Sequence, residues 1–160
     1  MEQESLLALL ALSSQQPHIW ISKSQYRLEL RLDTLLLARF PVVFGGNPVD
    51  DKLRQGDRCT PEGTFQLRDL YPHQKWSKFL WIDYPTEASW QKHRTAKAQG
   101  LIPEEADIGG EIGIHGVPEG YDYAIDQRQN WTLGCISLKN EDVDWLYQFA
   151  FKGMKVIISP

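Results

Sequence analysis

Two short runs carry the residue types that could do covalent chemistry. One is Ile112-Gly113-Ile114-His115-Gly116, and the other is Thr132-Leu133-Gly134-Cys135-Ile136-Ser137-Leu138. Read as half-buried strands, successive residues alternate between two faces. Ile112 and Ile114 then face one way and His115 the other, while Ile136 and Leu138 oppose Cys135 and Ser137. If the strands are neighbours, an imidazole and a thiol meet on an open face above four aliphatic residues. The thiolate attacks a carbonyl, and a free thiol is only a few per cent ionised near neutrality. A histidine within reach supplies the missing base. The backbone N–H groups of Cys135 and Gly134 are candidate donors to an oxyanion. Gly116 and Gly134, beside the reactive residues, leave room for a substrate backbone. The competing reading is a buried structural cysteine beside a satisfied core histidine.

These runs resemble the catalytic motif of the L,D-transpeptidase (YkuD-type) domain: a His-Gly ending a strand, a loop, then Thr-x-Gly-Cys-Ile-x-Leu-x-Asn. Gly56-Asp57-Arg58-Cys59-Thr60-Pro61-Glu62-Gly63-Thr64-Phe65 resembles that family's Thr-Pro-x-Gly-x-Phe segment, in its YafK-like version. The resemblance runs from about His18 to the C-terminus. It implies Cys135 as nucleophile and His115 as base, with Gly116 and Gly134 supporting. Candidate substrate contacts are Thr132, Ser137, Tyr121 and Trp131. Leu133 stands where many members carry His, and Ser137 where many carry an Arg or Asn. The missing arginine removes a natural carboxylate clamp.

What the resemblance implies chemically is acyl transfer on peptidoglycan stem peptides. Cys135 cleaves the bond after the third stem residue and passes the acyl group to an amine, giving a 3-3 cross-link or protein attachment, or to water. A wall-linked lipoprotein is a further candidate partner. The alternatives are a hydrolytic L,D-carboxypeptidase or amidase that detaches wall-linked protein, and a non-catalytic peptidoglycan-binding module. The implied location is the periplasm or cell envelope, with a bearing on cell shape. No cofactor is implied. His18, His73 and His93 show no ligand-pair spacing, so no metal is expected. Papain-like proteases place cysteine before histidine, the reverse of this order, and no paired-carboxylate motif supports a glycosidase.

The elements that must hold these residues are mostly strands. A chain of 160 residues suits one domain. Its net charge of -4, with no basic stripe, argues against nucleic acid. No apolar run is long enough to span a bilayer. Cys59 and Cys135 are expected to be free, since a disulfide would silence the nucleophile. Residues 1–17 form an N-terminal helical extension and 18–160 the catalytic domain; Glu2 and Glu4 oppose a signal-peptide reading of the leucine-rich start. Tyr26, Leu28, Leu30 and Leu32 alternate with charged residues, and Asp33-Thr34 turns the chain into a second strand over Leu35 to Phe44. Strands also fit Thr64 to Leu70, Phe79 to Tyr84 and Met154 to Ile158. Glu87 to Gln99 predicts a helix stopped by Gly100. With the loop to Gly110 it makes an insertion, either a solvated helix over a sheet edge or a flap over the site. Asn140 is the expected N-cap of a helix after Cys135, ended by Gly153. The fold class is therefore mainly β, a sandwich or barrel-like L,D-transpeptidase catalytic fold, with a helix after the cysteine and a short helical insertion.

Overall fold

The computed structural model describes residues 2–160. Hydrophobic alternation is realised as one curled sheet of eight strands. These are β1 (His18–Ser22), β2 (Arg27–Leu32), β3 (Leu35–Pro41), β4 (Gly63–His73), β5 (Ser77–Ile82), β6 (Gly113–His115), β7 (Ile136–Ser137) and β8 (Lys155–Ser159). Their order is β3-β2-β1-β8-β4-β5-β6-β7. In β2, Leu28, Leu30 and Leu32 turn into the core as the period of two requires. Asp33, at φ +55°, makes the turn into β3.

The second strand stops sooner than its apolar run. Pro41, which has no N–H to give, ends β3, and the chain crosses to the far end of the sheet. There Val43 and Ser137 exchange both backbone hydrogen bonds at 2.9 Å, tying the two ends of the sheet together. β4 runs to His73 and β5 starts at Ser77, so the hairpin between them is longer than the alternation over Thr64 to Leu70 suggests.

Among the described residues, four helices accompany the sheet: α1 (Gln3–Leu12), α2 (Glu87–Ala98), α3 (Tyr123–Asp126) and α4 (Asn140–Tyr147). α1 has no side-chain N-cap, and a ten-residue helix is marginal alone. Packing holds it: Leu6 is fully buried and Leu9 and Leu10 lie against the main core. α4 buries Val143 and Leu146 below the site. Its N-cap is Lys139, not Asn140. Asn140 begins the helix, its N–H donates to Asp122 Oδ1 at 3.2 Å, and its side chain is used elsewhere. The helix also ends at Tyr147, and Gly153 instead makes the turn into β8, its N–H donating to the Leu67 carbonyl at 2.8 Å.

α2 starts on a reciprocal capping box between Thr86 and Ser89, and Gly100 at φ +71° follows its end. Its contacts run to the loop before β4 and to the start of that strand, where Lys92 donates to the Glu62 carbonyl at 3.1 Å. Buried His93 meets the Leu53 carbonyl at 2.6 Å, and Lys92 pairs with Asp51 at 2.6 Å, seating α2 on the loop before β4. α3, a single turn inside the loop between His115 and Cys135, has no periodic signal in the sequence.

Candidate active site

β6 and β7 are parallel neighbours, with Ile114 opposite Ile136 and His115 opposite Ser137. Ile112, Ile114, Ile136 and Leu138 are all buried, as the alternation requires. The register sets the distances on the other face. Ser137, not Cys135, is the direct neighbour of His115, and Cys135 is the residue that leads into β7. No hydrogen bond joins the thiol to the imidazole among the described residues. The Gly113 N–H donates to Cys135 Sγ at 3.4 Å, and the thiol donates to the Glu111 carbonyl at 3.6 Å.

The face carrying His115 is not open. The imidazole is 1% exposed. Trp76 stacks on it at 4.1 Å between ring centroids, Phe79 lies nearly parallel at 5.9 Å, and Trp131 presents an edge at 5.5 Å. His115 Nδ1 donates to the Gly116 carbonyl at 2.7 Å, leaving Nε2 as the basic nitrogen. Ser137 Oγ donates to the same carbonyl at 3.0 Å and accepts from Trp131 Nε1 at 3.2 Å.

Burial shapes the electrostatics. It pushes His115 down to about 4, against the raising effect of the Gly116 hydrogen bond. It pushes the Cys135 thiol up to about 11, opposed by the Gly113 N–H and the Lys52 charge. The resting pair is therefore a neutral thiol and a neutral imidazole. Cys59 is raised to about 11 as well, first by burial and then by Asp57, and both thiols are free.

The expected substrate contacts divide. Ser137 is fully buried with its hydroxyl engaged on both sides, and so cannot touch a substrate. Thr132 is likewise spent: its hydroxyl donates to the Cys135 carbonyl at 2.7 Å and accepts the Gly134 N–H at 3.2 Å. That second bond also removes Gly134 from the oxyanion donors, whereas the Cys135 N–H has no acceptor among the described residues. Trp131 packs on His115. Tyr121 is half exposed and stacks with Tyr123 at 5.6 Å.

The two glycines face the protein's own backbone and side chains, not space kept for substrate. A Cβ on Gly116 would overlap Asn140 Oδ1 and come within 2.6 Å of the Trp76 carbonyl. Gly134, at φ +151°, would bring a Cβ to 2.9 Å from the Cys59 carbonyl. Asn140 Oδ1 accepts the Val117 N–H at 2.9 Å and so fixes the chain just after His115.

The Thr-Pro-x-Gly segment serves the nucleophile from behind. Thr60 Oγ1 accepts the Gly45 N–H at 3.2 Å, and Gly45 abuts Gly134. Lys23 is buried and donates to the Asp50 and Thr60 carbonyls, both at 2.9 Å, and to Glu62 at 3.0 Å. Asp57 accepts from Lys52 at 2.9 Å and from the N–H groups of Leu53, Arg54 and Cys59. Burial works against its ionisation, yet these donors hold it below the usual carboxylate range. In the sequence, residues 49–56 read as polar loop and Trp76 carries no signal, while Phe79 reads as the start of a strand and Asn140, the last residue of the quoted motif, as a helix cap; none of them is legible there in the role that the structure gives it.

The family model for YkuD, the L,D-transpeptidase catalytic domain, matches residues 16–158, and the chain belongs to that family. Among solved structures, the helical cell shape determining protein Pgp2 from Campylobacter jejuni is similar, with a TM-score of 0.64 and 20% identity, over 98% of this chain and 55% of that one. Bd1075 from Bdellovibrio bacteriovorus gives 0.63 and 15%, over 90% of this chain and 48% of that one. L,D-transpeptidase 3 from Mycobacterium tuberculosis, in complex with a faropenem-derived adduct, gives 0.59 and 15%, over 91% of this chain and 61% of that one. The chain thus spans about half the length of the first two. A comparison with curated proteins found no match. The mainly β fold is that of the mycobacterial L,D-transpeptidase structure.

Proposed function

We propose that this chain is a cysteine-dependent acyltransferase acting on peptidoglycan stem peptides. In this reading residues 18–160 are its catalytic domain and residues 1–17 an N-terminal extension whose helix α1 packs on it. The observation that carries the reading is Cys135 immediately before β7, the strand paired parallel to the one that ends on His115, with the Gly116 carbonyl holding the imidazole in one tautomer.

The two neutral groups define the chemistry. Cys135 Sγ attacks the carbonyl of the third stem residue, a diamino acid, as His115 Nε2 takes the thiol proton. The Cys135 N–H donates to the oxyanion. Collapse of the tetrahedral intermediate expels D-alanine, whose amine takes the proton back from His115, and leaves a thioester on Cys135. An amine from a second stem, or water, then attacks the thioester and restores the thiol. The aromatic wall round His115 disfavours a standing ion pair, so proton transfer accompanies attack. The substrate places the protein in the periplasm or cell envelope, and the likeness to Pgp2 extends the proposal to cell shape.

Incubation with defined tetrapeptide muropeptides, followed by mass analysis, tests this. Release of D-alanine is expected, with a cross-linked product for transfer or a tripeptide for hydrolysis. Unchanged muropeptides would leave the wall-binding module as the reading. A faropenem adduct on Cys135, of the kind named for the mycobacterial protein, would support an acylatable thiol.

A further inference from the structure

Glu111 lies beside the nucleophile in a left-handed backbone conformation, φ +55°. Such a conformation strains a glutamate, which has a Cβ and no short side-chain bond to its own backbone. Strain of this kind persists only where the surroundings impose it, and it clusters at functional sites. The surroundings here do impose it. On one side the Asp107 carbonyl accepts the Gln55 N–H at 2.8 Å, and a Cβ on Gly109 would press on Gln55. On the other, buried Ile112 accepts the Ile82 N–H at 3.0 Å. Held from both ends, Glu111 aims its carbonyl at Cys135 Sγ, which donates to it at 3.6 Å. The exposed Glu111 side chain and the buried Lys52 ammonium are the charged groups that the sulfur feels.

We infer that Glu111 is a positioning residue for the nucleophile, its left-handed backbone parking the thiol on the Glu111 carbonyl, away from His115, until a substrate carbonyl enters. The inference rests on Cys135 being the nucleophile. The parked thiol resists stray electrophiles, and the Gly113 N–H keeps the sulfur in place for attack.

Iodoacetamide alkylation of Cys135 in the full chain, followed by peptide mass mapping from pH 5 to 10, tests the parking. Glu111→Gly removes the carboxylate yet accepts φ above zero. Glu111→Val removes the same charge but resists that backbone. We expect Glu111→Val to react roughly fivefold faster than Glu111→Gly near neutrality, the size of one ordinary hydrogen bond. Its rate should also acquire a dependence on His115, lost in a Glu111→Val/His115→Gln double variant. The Glu111→Gly profile should keep the wild-type shape. Equal rates and profiles for the two variants would overturn the proposal. Should Glu111→Val not fold, the infrared S–H stretch of wild type minus Cys135→Ala gives the answer. A hydrogen-bonded, lowered band is expected, and a free-thiol band overturns it. Neither readout involves muropeptides, so this inference and the proposed function fail separately.

Discussion

Ser137 and His115 hydrogen-bond the same oxygen, the carbonyl of Gly116, at 3.0 and 2.7 Å. The serine therefore orients the acceptor that fixes the imidazole. Ser137→Ala should leave Gly116 with one donor and Trp131 Nε1 without its acceptor. We expect turnover to fall about tenfold, with KM nearly unchanged, because an internal brace is lost and no substrate contact. A rise in KM with kcat intact would show that Ser137 meets the substrate after all.

Cys135→Ala should abolish D-alanine release while the circular dichroism spectrum stays as in wild type, since the half-buried thiol supports no core contact. Cys135→Ser should be nearly as inactive, a hydroxyl being far harder to ionise. Cys59→Ser should retain activity. Substantial turnover by Cys135→Ala would remove the nucleophile from the proposal.

The depressed His115 moves the acid limb of the pH–rate profile. An unperturbed histidine would place it near 6.5, whereas burial places it near 4. Activity should thus persist through pH 5 and decline toward 4. His115→Gln should lower the rate by a factor on the order of 10² and remove that limb. A limb centred at 6.5 in wild type would mean that the aromatic wall does not desolvate the ring.

The same shift affects stability, with a definite sign. Between about 4 and 6.5 the unfolded chain binds the proton that folded His115 refuses. Stability is then flat above 6.5 and declines as pH falls toward 4, by on the order of 3 kcal/mol for this group. Asp142, raised to about 6 by burial and by Glu141, contributes in the opposite direction. The difference between wild type and His115→Gln in urea melts isolates the histidine. An identical pH dependence in both would contradict its neutral burial.

Gly116→Ala should be among the more damaging single changes, because the new methyl meets Asn140 and the Trp76 carbonyl. A loss of about 1–3 kcal/mol is expected, the usual range for overpacking. A thermal midpoint equal to wild type would show that the loop yields.

The strand pair and its buried aliphatic side were legible because a period of two leaves no choice of face once Ile112, Ile114, Ile136 and Leu138 are buried. Register was not legible. Alternation says that His115 and Cys135 share a face, but it does not say that Ser137 is the residue opposite the histidine. Long-range partners were hidden for the same reason: Trp76 and Phe79 reach His115 from a separate hairpin, and only pairing across strands brings them there. Asn140 looked like a cap from its place before a helix, yet the loop after His115 claims its side chain.

The backbone exchange between Val43 and Ser137 gives the site an unusual mechanical standing. β7 is only two residues long, too short to hold itself in place by pairing with β6 alone. Because its other side is taken up by the chain leaving β3, the nucleophile's strand has no free edge on which a second chain could pair. Local fraying of the cysteine turn would then require the ends of the sheet to part. In hydrogen exchange, the Val43 and Ser137 amides would open with the whole domain and not with the surrounding loops.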